Sequence, residues 1–254
     1  MIRVAAIGDI HFGTDSAGLL RPAFDTLGEC ADVLLLAGDL TRHGTAEEAR
    51  VVASEVAGLP VPVVAVLGNH DYHSNQQAAV ARELRAAGVH VLEGEGVLLD
   101  LGGRRVGVAG TKGFCGGFAG RSGSEFGEPE MKDFIRCTRG YAEGLGRALR
   151  ELREAGSTLR IALTHYAPVP DTLAGEPREI YPFLGSYLLA EAVDEEGADL
   201  IIHGHAHQGT EHGMTAGGVR VRNVAMPVID RAFAVYHVTP DGHGPEAGGG
   251  WGLG

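Results

Sequence analysis

The chain of 254 residues is long enough to bury one large hydrophobic core or two modest ones, and 44% hydrophobic with 21% charged residues is ordinary for a globular protein. Lys plus Arg number 21 against 33 Asp plus Glu, a formal net charge of -12. That balance speaks against binding of extended nucleic acid and against anchoring on anionic membranes.

Three widely spaced cysteines (Cys30, Cys115, Cys137) without a CxxC pair argue against a disulfide framework and fit a reducing compartment. The opening "MIRVAAIGDIHFG" has too short an apolar run for a signal peptide. No stretch approaches the roughly 18 apolar residues of a membrane span. The expected location is cytoplasmic.

In chain order, "IRVAAIG" (2–8) reads as a short buried strand, followed by a helix over 18–30 and the strand "ADVLLLAG" (31–38). A helix over 45–57 with Thr45 as N-cap leads to the strand "VPVVAVLG" (61–68), then to a helix over 74–87 capped by Ser74. Segments 96–101 and 104–110, divided by Gly102-Gly103, read as a hairpin. Residues 112–130, dense in Gly with three Phe, are too long for a simple connection; a lid or binding loop and a disordered segment are the two readings. Further on come a helix over 139–155, the strand "LRIALTH" (159–165), a helix over 185–196 and the strand "ADLIIHG" (198–204). Two late strands, in 217–226 and 231–238, have no helix between them, and 240–254 has the composition of a flexible tail containing the lone Trp251.

Continuous Val/Ile/Leu runs mark strands covered on both faces, and their alternation with helices predicts an α/β fold. The hairpin and the late strands add a second, more antiparallel sheet. The expected architecture is therefore two mixed β-sheets packed as a sandwich flanked by helices, as a single domain over 1–239.

The five apolar strands end alike. Asp9 and His11 follow the first, Asp39 the second, Asn69 and His70 the third, His165 the fourth, and His205 and His207 the fifth. Ligands in α/β sheets bind beyond the carboxyl ends of the strands, so these ends would gather about eight polar groups at one edge. Asp, His and Asn without thiolate are the donors that borderline-hard divalent ions prefer. So many donors exceed one ion's need, whereas two ions sharing a carboxylate would use them, an arrangement suited to displacement at phosphorus. His203 has the strand parity of His205 and His207 and is expected in support behind them. His43 and His73 flank motifs, where substrate contact and an exposed loop position stay equally open. His90, His212, His237 and His243 read as structural or solvated.

The ordered set Asp9-x-His11, Gly38-Asp39-(x)4-Gly44, Gly68-Asn69-His70-Asp71, His165 and Gly204-His205-x-His207 resembles the calcineurin-like metallophosphoesterase superfamily, over residues 8 to 207. The resemblance implies the sandwich fold and a dimetal centre. Asp9, His11 and His207 would hold one ion, Asn69, His165 and His205 the other, with Asp39 bridging. His70 would act on the leaving group, and Asp71 would orient its imidazole and keep it protonated. The two ions, drawn from Mn, Fe and Zn, would activate a hydroxide that attacks phosphorus. "GDLTRHG" carries His43 where the protein Ser/Thr phosphatases have Arg, and "GNHD" ends in Asp, so the likeness is to the bacterial phosphodiesterase branch. The expected substrate is a small phosphoester, with nucleotides among the candidates. The alternatives are a nucleotide phosphomonoesterase, a nuclease using a local basic patch around Arg104, Arg105 and Lys112, and a non-catalytic metal-binding scaffold of the same fold.

Overall fold

The computed structural model describes residues 1–240; the expected flexible tail and Trp251 lie outside them. Thirteen strands and eight α-helices are formed among the described residues. The strands are β1 (Ile2–Ile7), β2 (Val33–Ala37), β3 (Val63–Val66), β4 (His90–Val91), β5 (Glu95–Leu101), β6 (Arg104–Thr111), β7 (Gly117–Phe118), β8 (Arg121–Ser122), β9 (Leu159–Thr164), β10 (Leu200–His203), β11 (His212–Met214), β12 (Arg220–Asn223) and β13 (Ala234–Val238). The helices are α1 (Arg21–Phe24), α2 (Leu27–Cys30), α3 (Ala46–Val56), α4 (Gln77–Ala86), α5 (Pro129–Glu154), α6 (Tyr181–Leu184), α7 (Tyr187–Glu196) and α8 (Met226–Ile229).

One sheet has the order β13-β1-β2-β3-β4 and the other β11-β12-β10-β9-β6-β5. The inner strands of both are parallel, with β13 antiparallel at one edge of the first sheet and β11 and β5 antiparallel at the two edges of the second. Contacts of β3 with β6 and of β2 with β9 join the sheets face to face. The α3–α4 pair and the α5–α7 pair pack helix on helix, and α5 also lies on β5, β6 and β9. The expected mixed-sheet sandwich is what forms. Every residue of β2 is buried, which is why its sequence is apolar throughout rather than alternating.

Register brings the strand ends level. Ile7 lies opposite Leu36, Ala37 opposite Val66, Leu163 opposite Ile202 and Thr111 opposite Thr164. The polar residues that follow each strand therefore leave the sandwich along one edge.

Local structure departs from expectation in five places. The late strands β12 and β13 are separated by the one-turn helix α8 and join different sheets, β12 the second and β13 the first, beside β1. The helix over 18–30 is instead the short α1 and α2, and the buried Glu55 carboxylate fixes where α1 begins by accepting from the amides of Leu20 (2.9 Å) and Arg21 (2.6 Å), which have no acceptor within the helix. Ser74 does not cap α4: its hydroxyl donates to the His43 carbonyl at 2.6 Å, and the helix starts at Gln77. Helix α5 begins ten residues before the expected 139, with Pro129 in its first turn, a position where the missing N–H costs nothing. The first part of the 112–130 segment is packed and the rest is exposed: Phe114 packs against Phe134, Tyr141 and Tyr166 and Phe118 is buried with Leu173 and Leu184, whereas residues 119–128 lie at the surface, with Phe126 85% exposed. By contrast α3 keeps its Thr45 N-cap, as a reciprocal capping box with Glu48.

No disulfide joins the three cysteines. Among the described residues no helix is long and apolar enough to cross a membrane.

Candidate metal centre

Backbone hydrogen bonds pin four of the five strand-end loops in pairs, and the Asn69 loop is tied to its neighbour by the carboxylates of Asp39 and Asp71. The Asp9 amide donates to the Gly38 carbonyl (2.9 Å), His11 to Asp39 (3.0 Å) and Gly204 to His165 (3.2 Å). Six non-glycine residues among those described have left-handed backbone, and four of them are Asp9, His11, Asp39 and His205. Such a conformation costs on the order of 1–3 kcal/mol per residue and persists where surrounding structure enforces it. Two glycines let the loops approach. A Cβ at position 68 would lie 2.1 Å from Asp39 Oδ1, and one at 204 would lie 2.3 Å from Asp9 Oδ2.

Three overlapping donor groups result: Asp9, His11 and His207; His11, Asp39 and His70; and Asp39, His165 and His205. Each could hold a metal ion, its ligand atoms lying within 4.8 Å of one another. His207 Nε2 is 2.9 Å from Asp9 Oδ1 and 3.5 Å from His11 Nε2. Asp39 divides its oxygens, with Oδ2 at 3.9 Å from His11 Nε2 and Oδ1 at 3.4 Å from His165 Nε2. Asn69 Oδ1 lies 2.9 Å from the same His165 nitrogen.

The chemistry of these contacts fits a cation. His165 Nδ1 is 2.9 Å from the Ala37 carbonyl, which only accepts, so that nitrogen carries the proton. Its Nε2 lone pair then faces the oxygens of Asn69 and Asp39, an arrangement of acceptors that a positive ion reconciles. In the bare protein His165 takes up the slack itself: burial opposes its charging, yet Asp39 and Asp9 raise it to about 9. Burial resists ionisation of Asp39 too, and His165 overcomes it, holding the carboxyl far below the usual range. Burial, reinforced by His165, lowers His205 to about 3, so that imidazole is in its neutral, ligating form.

The expected role of Asp71 is overturned. Its fully buried carboxylate accepts from the amides of Thr41 (2.8 Å), Gly68 (2.8 Å) and Leu40 (3.2 Å) and from the Thr41 hydroxyl (2.6 Å). Burial first, then the Asp39 charge, pushes this carboxyl up to about 6. The imidazole of His70 instead has its Nδ1 2.9 Å from the Arg42 carbonyl, and its ring meets that of His11 at 4.4 Å. Backbone, not carboxylate, orients it. Asp71 fastens the Asp39 loop to the Asn69 loop.

His203 is buried behind the centre, its ring nitrogens 2.7 Å from the Gly204 carbonyl and 2.9 Å from Thr172 Oγ1. Burial lowers it to about 4. His43 turns away, its Nδ1 2.9 Å from Glu48, and Arg42 reaches Asp15 at 3.2 Å. The proposed basic patch does not form, since Arg104 and Arg105 begin β6 while Lys112 is buried just past its other end. Three participants escaped sequence reasoning: Thr41, Tyr166, whose ring lies 4.4 Å from that of His205, and Thr172. Only Tyr166 had a signal, its place directly after His165.

A family model described as calcineurin-like phosphoesterase matches residues 2–209. The chain belongs to the calcineurin-like phosphoesterase family. This phosphoesterase-family chain is 43% identical over 81 residues to a bis(5'-nucleosyl)-tetraphosphatase, symmetrical, of Burkholderia mallei (strain SAVP1). That match covers 32% of the chain and spans only 27% of the relative. Its fold is similar to that of phosphopantetheinyl hydrolase (PptH) from Mycobacterium tuberculosis, with a TM-score of 0.60, 15% identity and 89% of each chain covered. It is also similar to TT1561 of Thermus thermophilus (TM-score 0.56, 16% identity, 87% of this chain and 88% of that one). A third likeness is to GAP50, the anchor in the inner membrane complex of Plasmodium (0.53, 12%, 89% and 72%). At these identities the structural likenesses show the fold alone.

Proposed function

We propose that the chain is a phosphoester hydrolase that uses two divalent transition-metal ions and cleaves small phosphodiesters. The observation that carries this reading is the divided carboxylate of Asp39, one oxygen toward His11 and the other toward His165. Asp9, His11 and His207 would hold one ion, and Asn69, His165 and His205 the other. Mixed nitrogen and oxygen donors without thiolate suit Mn, Fe and Zn. Bound ions supply Lewis acidity at the phosphoryl oxygens and lower the pKa of an attacking water toward neutrality.

The remaining work falls to the chain's own groups. With Nδ1 of His70 committed to the Arg42 carbonyl, Nε2 is the nitrogen left to exchange a proton with the departing oxygen. His203 and Thr172 brace the segment that carries His205 and His207. A monoester dianion needs a further cation beside the reacting phosphoryl group. Two basic residues beside the motifs, Arg42 and His43, face Asp15 and Glu48. That supports the diester preference and the likeness to the phosphodiesterase branch.

Nucleotides are the favoured substrate class, supported by the partial match to a bis(5'-nucleosyl)-tetraphosphatase. The scaffold alternative calls for a lost ligand, and no ligand position in this sequence has been replaced. Specificity constants for bis(p-nitrophenyl) phosphate and p-nitrophenyl phosphate, compared at neutral pH, test the reading. The diester is expected to be the better substrate. A monoester preference that survives His43→Ala would favour a nucleotide phosphomonoesterase.

A further inference from the structure

The turn from Gly204 to Gly209 carries two of the candidate ligands, His205 and His207, and a carboxylate holds it at each end. At the first end the His205 amide donates to both oxygens of Asp9, at 2.9 and 3.1 Å. At the other the amide of Gln208, the residue after His207, donates to Oε1 of Glu176 at 2.7 Å. Asp9 is itself a candidate ligand, whereas Glu176 belongs to none of the donor groups and lies between β9 and α6. Glu176 is only 9% exposed, and no cation pairs with it among the described residues. Such a place is costly for a carboxylate unless it holds something.

The segment before Glu176 is seated on the same turn. Gly175 has left-handed backbone (φ 117°), and a Cβ there would lie 2.0 Å from the Gln208 carbonyl oxygen, so glycine is what lets the two segments meet. Thr210 donates its amide to the Thr172 carbonyl at 3.0 Å, and Leu173 shares a buried cluster with Ala206. Between the two histidines the chain is fixed without Glu176. Ala206 is fully buried, its amide donates to the Gly204 carbonyl (2.9 Å) and its carbonyl accepts from Asn223 Nδ2 (2.8 Å). His207 lies beyond that anchor. The other ring nitrogen of His165 is braced by the Ala37 carbonyl, but Nδ1 of His207 has no hydrogen-bond partner among the described residues. Its direction therefore depends on the backbone behind it, and the Gln208 amide is where that backbone is next held.

We propose that Glu176 is a positioning residue that fixes His207 through the Gln208 amide, and so sets the affinity of the ion assigned to Asp9, His11 and His207 but not that of the other ion. The inference rests on the two-ion reading above and gives one of its ions a support outside the motifs. Groups that orient a metal ligand from behind carry about 10–100-fold in metal affinity. What the Gln208 amide needs from Glu176 is an acceptor oxygen, not a charge.

The test is calorimetric titration of the metal-free protein with Mn²⁺, resolved into two ions, for wild type, Glu176→Ala and Glu176→Gln. Glu176→Ala should weaken one ion at least about tenfold and the other less than about twofold. Glu176→Gln keeps an acceptor oxygen and should stay within about threefold of wild type. In a His207→Ala background, Glu176→Ala should change the remaining ion by less than about twofold. Equal weakening of both ions, or of neither, would mark Glu176 as packing and overturn the proposal, and so would a Glu176→Gln as damaging as Glu176→Ala. Should the Ala variant fail to fold, Glu176→Asp, one methylene short of the amide, takes its place with the same expectation. Binding is read without turnover. Two ions separated by Glu176 in a protein that hydrolyses no phosphoester would therefore sink the functional reading only, and phosphoester hydrolysis with both ions weakened equally would sink only this inference.

Discussion

Asp71 and Thr41 are joined twice, the Thr41 hydroxyl donating to the Asp71 carboxylate at 2.6 Å and its amide to the same oxygen at 2.8 Å. Both groups are fully buried, so water cannot replace either bond. With the Gly68 amide on the second oxygen, one side chain fixes the spacing between the loops that bear Asp39 and Asn69. Thr41→Val removes one bond and leaves a buried carboxylate under-satisfied. It should cost about 1–3 kcal/mol in urea denaturation and lower metal retention on dialysis. Unchanged stability and metal content would remove Asp71 from its bracing role.

His70 is oriented by a carbonyl, so its position should be insensitive to nearby side chains. His70→Ala should keep its metal while turnover of unactivated esters falls roughly 10²–10⁴-fold, the range for a lost general acid. The loss should shrink for nitrophenyl esters, whose leaving groups need little protonation. If the substitution strips metal instead, His70 is a ligand, consistent with its membership of the His11–Asp39 donor group.

Much of the fold and the centre was legible because the information is local. Five strands announce themselves as apolar runs, and their polar successors stand along one edge of the two-sheet sandwich, where the strand ends bring candidate ligands together. What stayed hidden depends on tertiary approach. Asp71 sits beside His70 in sequence, but the loops' unpaired amides lie nearer its carboxylate than the imidazole does. Glu55 lies far along the chain from the amides at the start of α1 that it accepts from. The Gly-rich stretch after Lys112 reads as mobile until α5 and Tyr166 supply a surface for Phe114. Pro129 was a visible helix-start signal, and 139 was the wrong place to begin.

Phe118 is accordingly a stability residue. Phe118→Ala should cost about 3–5 kcal/mol, as for a buried aromatic, read as a lower denaturation midpoint. Little change in stability with a raised Michaelis constant would restore the lid interpretation.

Glu48 offers a pH test away from the centre. Burial would raise its carboxyl, but the contact with His43 and the amides of His43 and Thr45 outweigh it and lower the pKa below the ordinary 4.5. A depressed folded-state pKa stabilises above the ordinary value and is lost as pH falls through the folded one. Glu48→Gln should therefore cost on the order of 1 kcal/mol near neutrality, the scale of a helix cap, and the gap to wild type should close below pH 4.5. A gap that does not vary with pH would assign the loss to packing.

The central claim is a pair of ions sharing Asp39. Elemental analysis of protein purified without chelator, beside Asp39→Asn treated identically, tests it most directly. The account predicts about two transition-metal ions per wild-type chain, with metal and hydrolysis falling together in the variant. Saturation at one ion per chain, or none after reconstitution, or a variant that keeps both ions, would contradict it.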